Sequence, residues 1–183
     1  MSSTYILIVI GLLFLLTFIA WYIIVINKIN VALIKIEEAN SGIDVALTQR
    51  YDILTKMIDV VKAYTKHEKE TLFEVVNIRN NMKIEEKSEI NNKMNNNFEQ
   101  IKIIAENYPE LRSNENYKTL QLSINEVENN LQTARKVYNS NVSNYNKIIV
   151  TFPNSIAAKL KGMKQKEFFE ANEEKKNDVK INL

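Results

Sequence analysis

The side chains that could do chemistry are few. Histidine is the residue type best suited to moving protons or holding a metal near neutral pH, and this chain has a single one, His67. His67-Glu68-Lys69-Glu70-Thr71 opens like the helical zinc-protease signature, in which a second histidine one turn on shares the metal, but Thr71 stands at that second position. A solvated turn residue is the stronger reading of His67. A Ser-His-Asp arrangement would need His67 as its base, and no serine lies in a glycine-bounded elbow. The absence of cysteine excludes thiol nucleophiles, thiolate metal sites and disulfides. Glycine-rich phosphate loops are missing. The acidic pairs Glu37-Glu38, Glu85-Glu86 and Glu173-Glu174 sit on polar faces, where a solvated charge explains them. The expectation is a non-enzymatic protein with no cofactor, no metal and no small-molecule substrate. A net charge of +2, with both signs interspersed, also points away from nucleic acid.

What the chain does offer is long elements. From Tyr5 to Ile26 there are 22 residues without a charge, with Trp21 near the end of the run. As a helix this covers about 33 Å, enough for a hydrocarbon core of about 30 Å. A cleaved signal peptide fits poorly, because the first four residues carry no lysine or arginine and Phe18 stands where a small residue belongs. Lys28 and Lys35 follow the run, so the positive-inside rule places the short N-terminus outside and the body in the cytoplasm, on the inner (cell) membrane as a single-pass protein. The expected organisation is a membrane anchor over 1–27, a helical bundle over 28–152, and a short helix with a disordered tail over 153–183.

Three stretches after the anchor show helical periodicity. Ile36, Ile43, Leu47, Leu54, Ile58 and Val61 recur at steps of three, four or seven. Leu72, Val75, Val76, Met82, Ile90, Met94, Phe98, Ile101, Ala105 and Tyr108 form a second series, ended by Pro109 because the residue before proline is pushed out of the helical region. The third is close to a strict heptad: Tyr117, Ile124, Leu131, Tyr138, Tyr145 and Phe152 in one row, with Leu120, Val127, Ala134, Asn141 and Ile148 in the other. Ser113 and Asn114 are its capping candidates, and it stops before Pro153. Three arms over 29–64, 67–107 and 114–150, joined by short loops, predict an all-α fold. It is an N-terminal transmembrane helix followed by an antiparallel up-and-down bundle of three long helices and a short C-terminal one. Thr65-x-x-Glu68 reads as a capping box restarting the chain, and the asparagine run over 91–97 as compositional drift.

Charge placement adds two expectations. Arginine is rare, four against twenty lysines, and Arg50, Arg79 and Arg135 fall at similar heights when the three arms are laid antiparallel. A guanidinium fork holds carboxylates where lysine cannot, which suggests a polar layer fixing helix register, with Asp52 and Glu128 as acceptors. Exposed arginines are the alternative. Lys159, Lys161, Lys164 and Lys166, followed by Phe168-Phe169, could form a membrane-surface patch. An up-down-up path puts that patch at the tip farthest from the anchor, which favours a partner-binding or bundle-capping segment.

These residues also carry a resemblance. Ile43-Asp44-Val45, Gln49-Arg50-Tyr51-Asp52-Ile53-Leu54, Val61-Lys62-Ala63-Tyr64 and Lys66-His67-Glu68-Lys69-Glu70-Thr71-Leu72 resemble the signature of the LemA family. Tyr108-Pro109-Glu110-Leu111, Asn114-Glu115-Asn116, Ala134-Arg135, Tyr138-Asn139, Tyr145-Asn146 and Phe152-Pro153 are similar to its second half. Thr55 departs from the family's usual Pro, Asn40 from its frequent Trp, and Ala46 from its frequent Gln. The resemblance implies an anchored helical bundle with its small N-terminus outside the cell. It supplies no catalytic residues; some relatives are linked to membrane remodelling, others are encoded beside a membrane zinc protease. Laid on the expected bundle, Tyr64, His67, Glu68, Tyr145, Asn146, Phe152 and Pro153 meet at the membrane-distal tip, either closing the bundle or presenting a partner site. The expected partners are the bilayer through the N-terminal helix, and a protein partner, a membrane protease among the candidates, or a second copy of the chain. The expected role is a scaffold or adaptor; the alternative is a self-assembling, membrane-organising or remodelling protein.

Overall fold

The computed structural model describes residues 2–65, 76, 78 and 82–169, with side chains from Thr4 onward. Among them every regular element is a helix: α1 (Ser2–Tyr64), α2 (Ile84–Asn107), α3 (Pro109–Ser113), α4 (Glu115–Val150) and α5 (Asn154–Leu160). α1 runs without interruption because neither proline nor a capping residue separates the apolar run from the first amphipathic arm. It closes at Tyr64, where Thr65 donates its hydroxyl to the Val61 carbonyl. At Tyr108 the backbone turns extended before Pro109, which opens α3 at a position where its missing N–H is not needed. Asn114 then caps α4, its side-chain oxygen accepting the Tyr117 N–H at 3.0 Å.

The chain divides into two compact units. One comprises Met1–Glu38 and Ser140–Glu167, the other Ala39–Asn139 and Phe168–Leu183. In the second unit α1 and α4 run antiparallel, because Tyr64 meets Asn114 while Arg50 meets Glu128. α2 rises in step with α1 instead: Lys87 lies against Asn40, and Arg50 against Asn91 and Asn95. Leu54, Met57, Val61, Val76, Met94, Ile101, Ala105, Leu111 and Tyr117 form one continuous apolar cluster between these helices.

One boundary differs from the expected arms. The sequence predicts a second arm over 67–107; the described helix α2 starts at Ile84, where Glu86 reaches back to accept the Lys83 N–H at 2.8 Å. α2 runs in the same direction as α1 and not antiparallel to it, so the heptad arm returns along α1 rather than rising beside it. Glu68 of the expected capping box lies outside the described residues.

In the first unit, α1 leaves at Glu38 where α4 enters at Ser140, and Asn141 donates to the Lys35 carbonyl at 2.9 Å. Val25, Ile29, Ala32 and Ile36 of α1 are buried, as are Val142, Tyr145, Ile148 and Ile149 of α4 and Ala157 and Ala158 of α5. Nine residues on from Asn141, about 13 Å along α4, is Val150; nine residues back from Lys35 is Ile26. The lysine-rich segment therefore lies beside the end of the apolar run and not at the far tip, which corrects the up-down-up placement.

Candidate functional site

α1 buries a row at steps of four and three from Val25 through Ile29, Ala32, Ile36, Ala39, Ile43 and Ala46. The next position in that ladder is Arg50, only 4 % exposed. A charge at a core position must find partners, because stripping water from an unpaired guanidinium is costly. α2 supplies them from the asparagine run. Asn91 accepts from Arg50 Nη1 through its side-chain oxygen, and Asn95 accepts from Nη2 at 2.6 Å. From α4, Glu128 Oε2 stands 2.8 Å from Nη2, a charge contact rather than an aligned hydrogen bond. Phe98 lies under the guanidinium, 5.2 Å from its ring centre. Burial pushes the Arg50 pKa down, Glu128 opposes that, and Arg135 adds to it.

A second polar contact lies ten residues earlier on α1. Lys87 of α2 is 1 % exposed and reaches Asn40 Oδ1 at 2.7 Å and Asp44 Oδ1 at 2.5 Å. The two contacts lock α2 against α1 in one register, because sliding either helix by a turn would leave a buried cation without oxygen. An open cavity of about 990 Å³ adjoins Arg50, lined among others by Met57, Phe98, Tyr117, Gln121 and Glu128. Two of its polar lining residues, Asn95 and Glu128, are engaged by Arg50. Among the described residues no group of three or more His, Cys, Asp or Glu is gathered as a metal would need.

The expected polar layer is redistributed. Arg50 and Glu128 meet, whereas Asp52 is exposed on α1 and Arg79 lies outside the described residues. Arg135 stacks over Phe169 at 5.0 Å, and its Nε and Nη2 have no hydrogen-bond partner among the described residues. Burial pushes its pKa down while Glu128 opposes that. Asn91 and Asn95 belong to the asparagine run read as drift, and nothing in the sequence singled out Lys87. A signal for the layer existed: Ile36, Ile43, Arg50 and Met57 follow each other at intervals of seven, so the arginine shares their buried row.

The described residues of the expected distal cluster are divided between the two units. Tyr64 belongs to the second unit and accepts from Asn114 at 2.7 Å. Tyr145, Asn146, Phe152 and Pro153 belong to the first. There Tyr145 donates to the Lys164 carbonyl at 3.0 Å, and Asn146 pairs with both main-chain groups of Lys166, accepting at 2.8 Å and donating at 2.9 Å. Phe152 and Pro153 are exposed. His67 and Glu68 lie outside the described residues. In the second unit Asn139 repeats the two-way grip on Phe169, at 2.8 and 3.1 Å.

Comparison with known proteins adds a family. The sequence model of the LemA family matches residues 39–183. The chain is similar to Protein LemA of Metamycoplasma hominis, 26 % identical over 183 residues, covering 92 % of this chain and 80 % of that protein. It is also similar to Magnetosome proteins MamQ 2 and MamQ 1 of Paramagnetospirillum magneticum, each 34 % identical over 67 residues, or 37 % of this chain. Those matches span 25 % of each magnetosome protein's length.

Proposed function

The chain belongs to the LemA family, and from that premise we propose that it is a membrane-anchored, non-enzymatic helical scaffold. In this reading the apolar start of α1 crosses the cell's inner membrane once, with the short N-terminus outside. The register-locked bundle stands in the cytoplasm and presents an interaction surface at a fixed height. The observation that carries it is the apolar run itself: its side chains are exposed around the whole helix, Phe14 by 74 % and Ile24 by 67 %, with no protein packed on most of them. An apolar helix bare on all sides needs lipid as its solvent. The buried Arg50 and Lys87 contacts support a body selected for rigid register, since a surface held in place is what a scaffold requires.

The partner in this reading is a protein, a membrane protease among the candidates. The test is affinity capture from detergent-solubilised membranes with the full chain, alongside a version lacking residues 1–27. A partner retained by the full chain, and reduced when the anchor is removed, supports the scaffold. Recovery of the full chain in the soluble fraction, clipped near residue 27, would overturn it.

The likeness to two proteins named for the magnetosome favours a second reading, self-assembly that organises membrane. Concentration-dependent association of the body without lipid distinguishes it from the scaffold.

A further inference from the structure

We propose that the first unit carries a lipid-docking platform, formed by the end of α4, α5 and the segment to Lys166, that rests on the anionic headgroups of the bilayer entered by α1. The inference rests on the membrane-anchor reading. Residues 140–167 hold five lysines against one glutamate, a net charge of +4 in a chain whose whole charge is +2. Lys147, Lys159, Lys161, Lys164 and Lys166 are all exposed.

Large apolar side chains stand among them. Phe152 is 76 % exposed, Leu160 69 %, Val150 55 % and Ile156 45 %. Ala157 and Ala158 turn α5's inner face to the protein, so Ile156, Lys159 and Leu160, at helical spacing, share the outer one. Alternating bulky apolar groups and lysines on one exposed face is what lies in a headgroup layer, with rings and branches inserted and ammonium groups at the phosphates.

Placement selects the bilayer over other occupants. Val25 and Ile29 of α1 are 4 % and 0 % exposed, and within this unit only residues 140–167 are available to cover them. The platform is therefore built against the last turns of the apolar run, where Trp21 and Tyr22 are partly buried and aromatic residues favour the membrane–water boundary. The backbone holds it there. Gly162, at φ 65°, closes α5 with the Met163 N–H on the Ala158 carbonyl and its own N–H on Lys159. Tyr145 and Asn146 then pin Lys164 and Lys166 to α4.

The experiment uses the full chain in vesicles of phosphatidylcholine, with or without one-third phosphatidylglycerol, and lipids carrying a bromine or nitroxide quencher near the headgroup. The chain has one tryptophan and no cysteine, so Trp21 reports insertion, and a fluorophore on Leu160→Cys reports the platform without interference. A fluorophore on Leu122→Cys, an exposed site of the second unit, is the control. The expected result is Trp21 quenched in both vesicles, and Leu160 quenched at least about two-fold more than Leu122 in anionic vesicles. That excess falls in 1 M salt, where the screening length is about 3 Å, and in the variant with Lys159, Lys161, Lys164 and Lys166 all changed to Gln. Trp21 quenched with Leu160 no more quenched than Leu122 overturns the platform and leaves the anchor standing. Trp21 unquenched overturns the anchor, and the platform with it.

Discussion

α1 is one helix with two opposite surfaces. From Thr4 to Ala20 every side chain is exposed and none carries a charge. From Ala39 to Tyr64 the same helix is polar outside and buries one narrow row, and that row includes Arg50. The contrast teaches that secondary structure did not decide which residue types each stretch accepts; the neighbours did. A guanidinium fits the core only because α2 and α4 bring oxygen to it, and among the described residues the bare apolar stretch has no such neighbours.

Reversing the two surfaces is the most severe way to break this contrast. Leu15→Arg puts a charge in the middle of the bare stretch and costs about 3 kcal/mol of insertion, read as loss of the protein from carbonate-washed membranes. Arg50→Lys keeps the charge but loses the fork that spans Asn91, Asn95 and Glu128; unfolding of the body by urea should show a loss of about 2 kcal/mol. The exposed Arg112→Lys should stay within about 0.5 kcal/mol, and a similarly small loss at Arg50 would rule the layer out. In the first unit, Tyr145→Phe removes the bond to Lys164 and costs about 1 kcal/mol, visible as faster hydrogen exchange after Gly162.

The smallest effect is on pH dependence. Burial pushes the phenols of Tyr145 and Tyr117 above their ordinary value, with Arg112 partly opposing this at Tyr117. The unfolded chain releases those protons first, so their contribution is intact below about pH 10 and is lost as pH rises through the folded values. Tyr145→Phe should therefore flatten the alkaline limb of a stability–pH curve, and an unchanged limb would assign that loss to other groups.

The elements themselves were legible where a pattern was long and local. The charge-free run, the heptads of α4, the break at Tyr108-Pro109 and the cap at Asn114 each depend on neighbouring residues, and each lies where expected. The parallel course of α1 and α2 was not legible, because Val75, Val76 and Met82 extend the apolar spacing of α2 without a proline or glycine to mark its start at Ile84. That single miss reversed the direction of α4, and with it the placement of Tyr145, Asn146 and the lysines. Lys87, Asn91 and Asn95 were hidden for a different reason. Their polarity says surface, and only partners distant in sequence, Asn40, Asp44 and Arg50, make their burial tolerable.

Asn146 holds Lys166 only by its peptide N–H and carbonyl, groups common to every amino acid except proline's missing hydrogen. The strap after α5 can thus change its side chains over generations, trading one surface chemistry for another, while staying fastened at the same point. A proline at 166 is the single replacement that would undo the fastening itself.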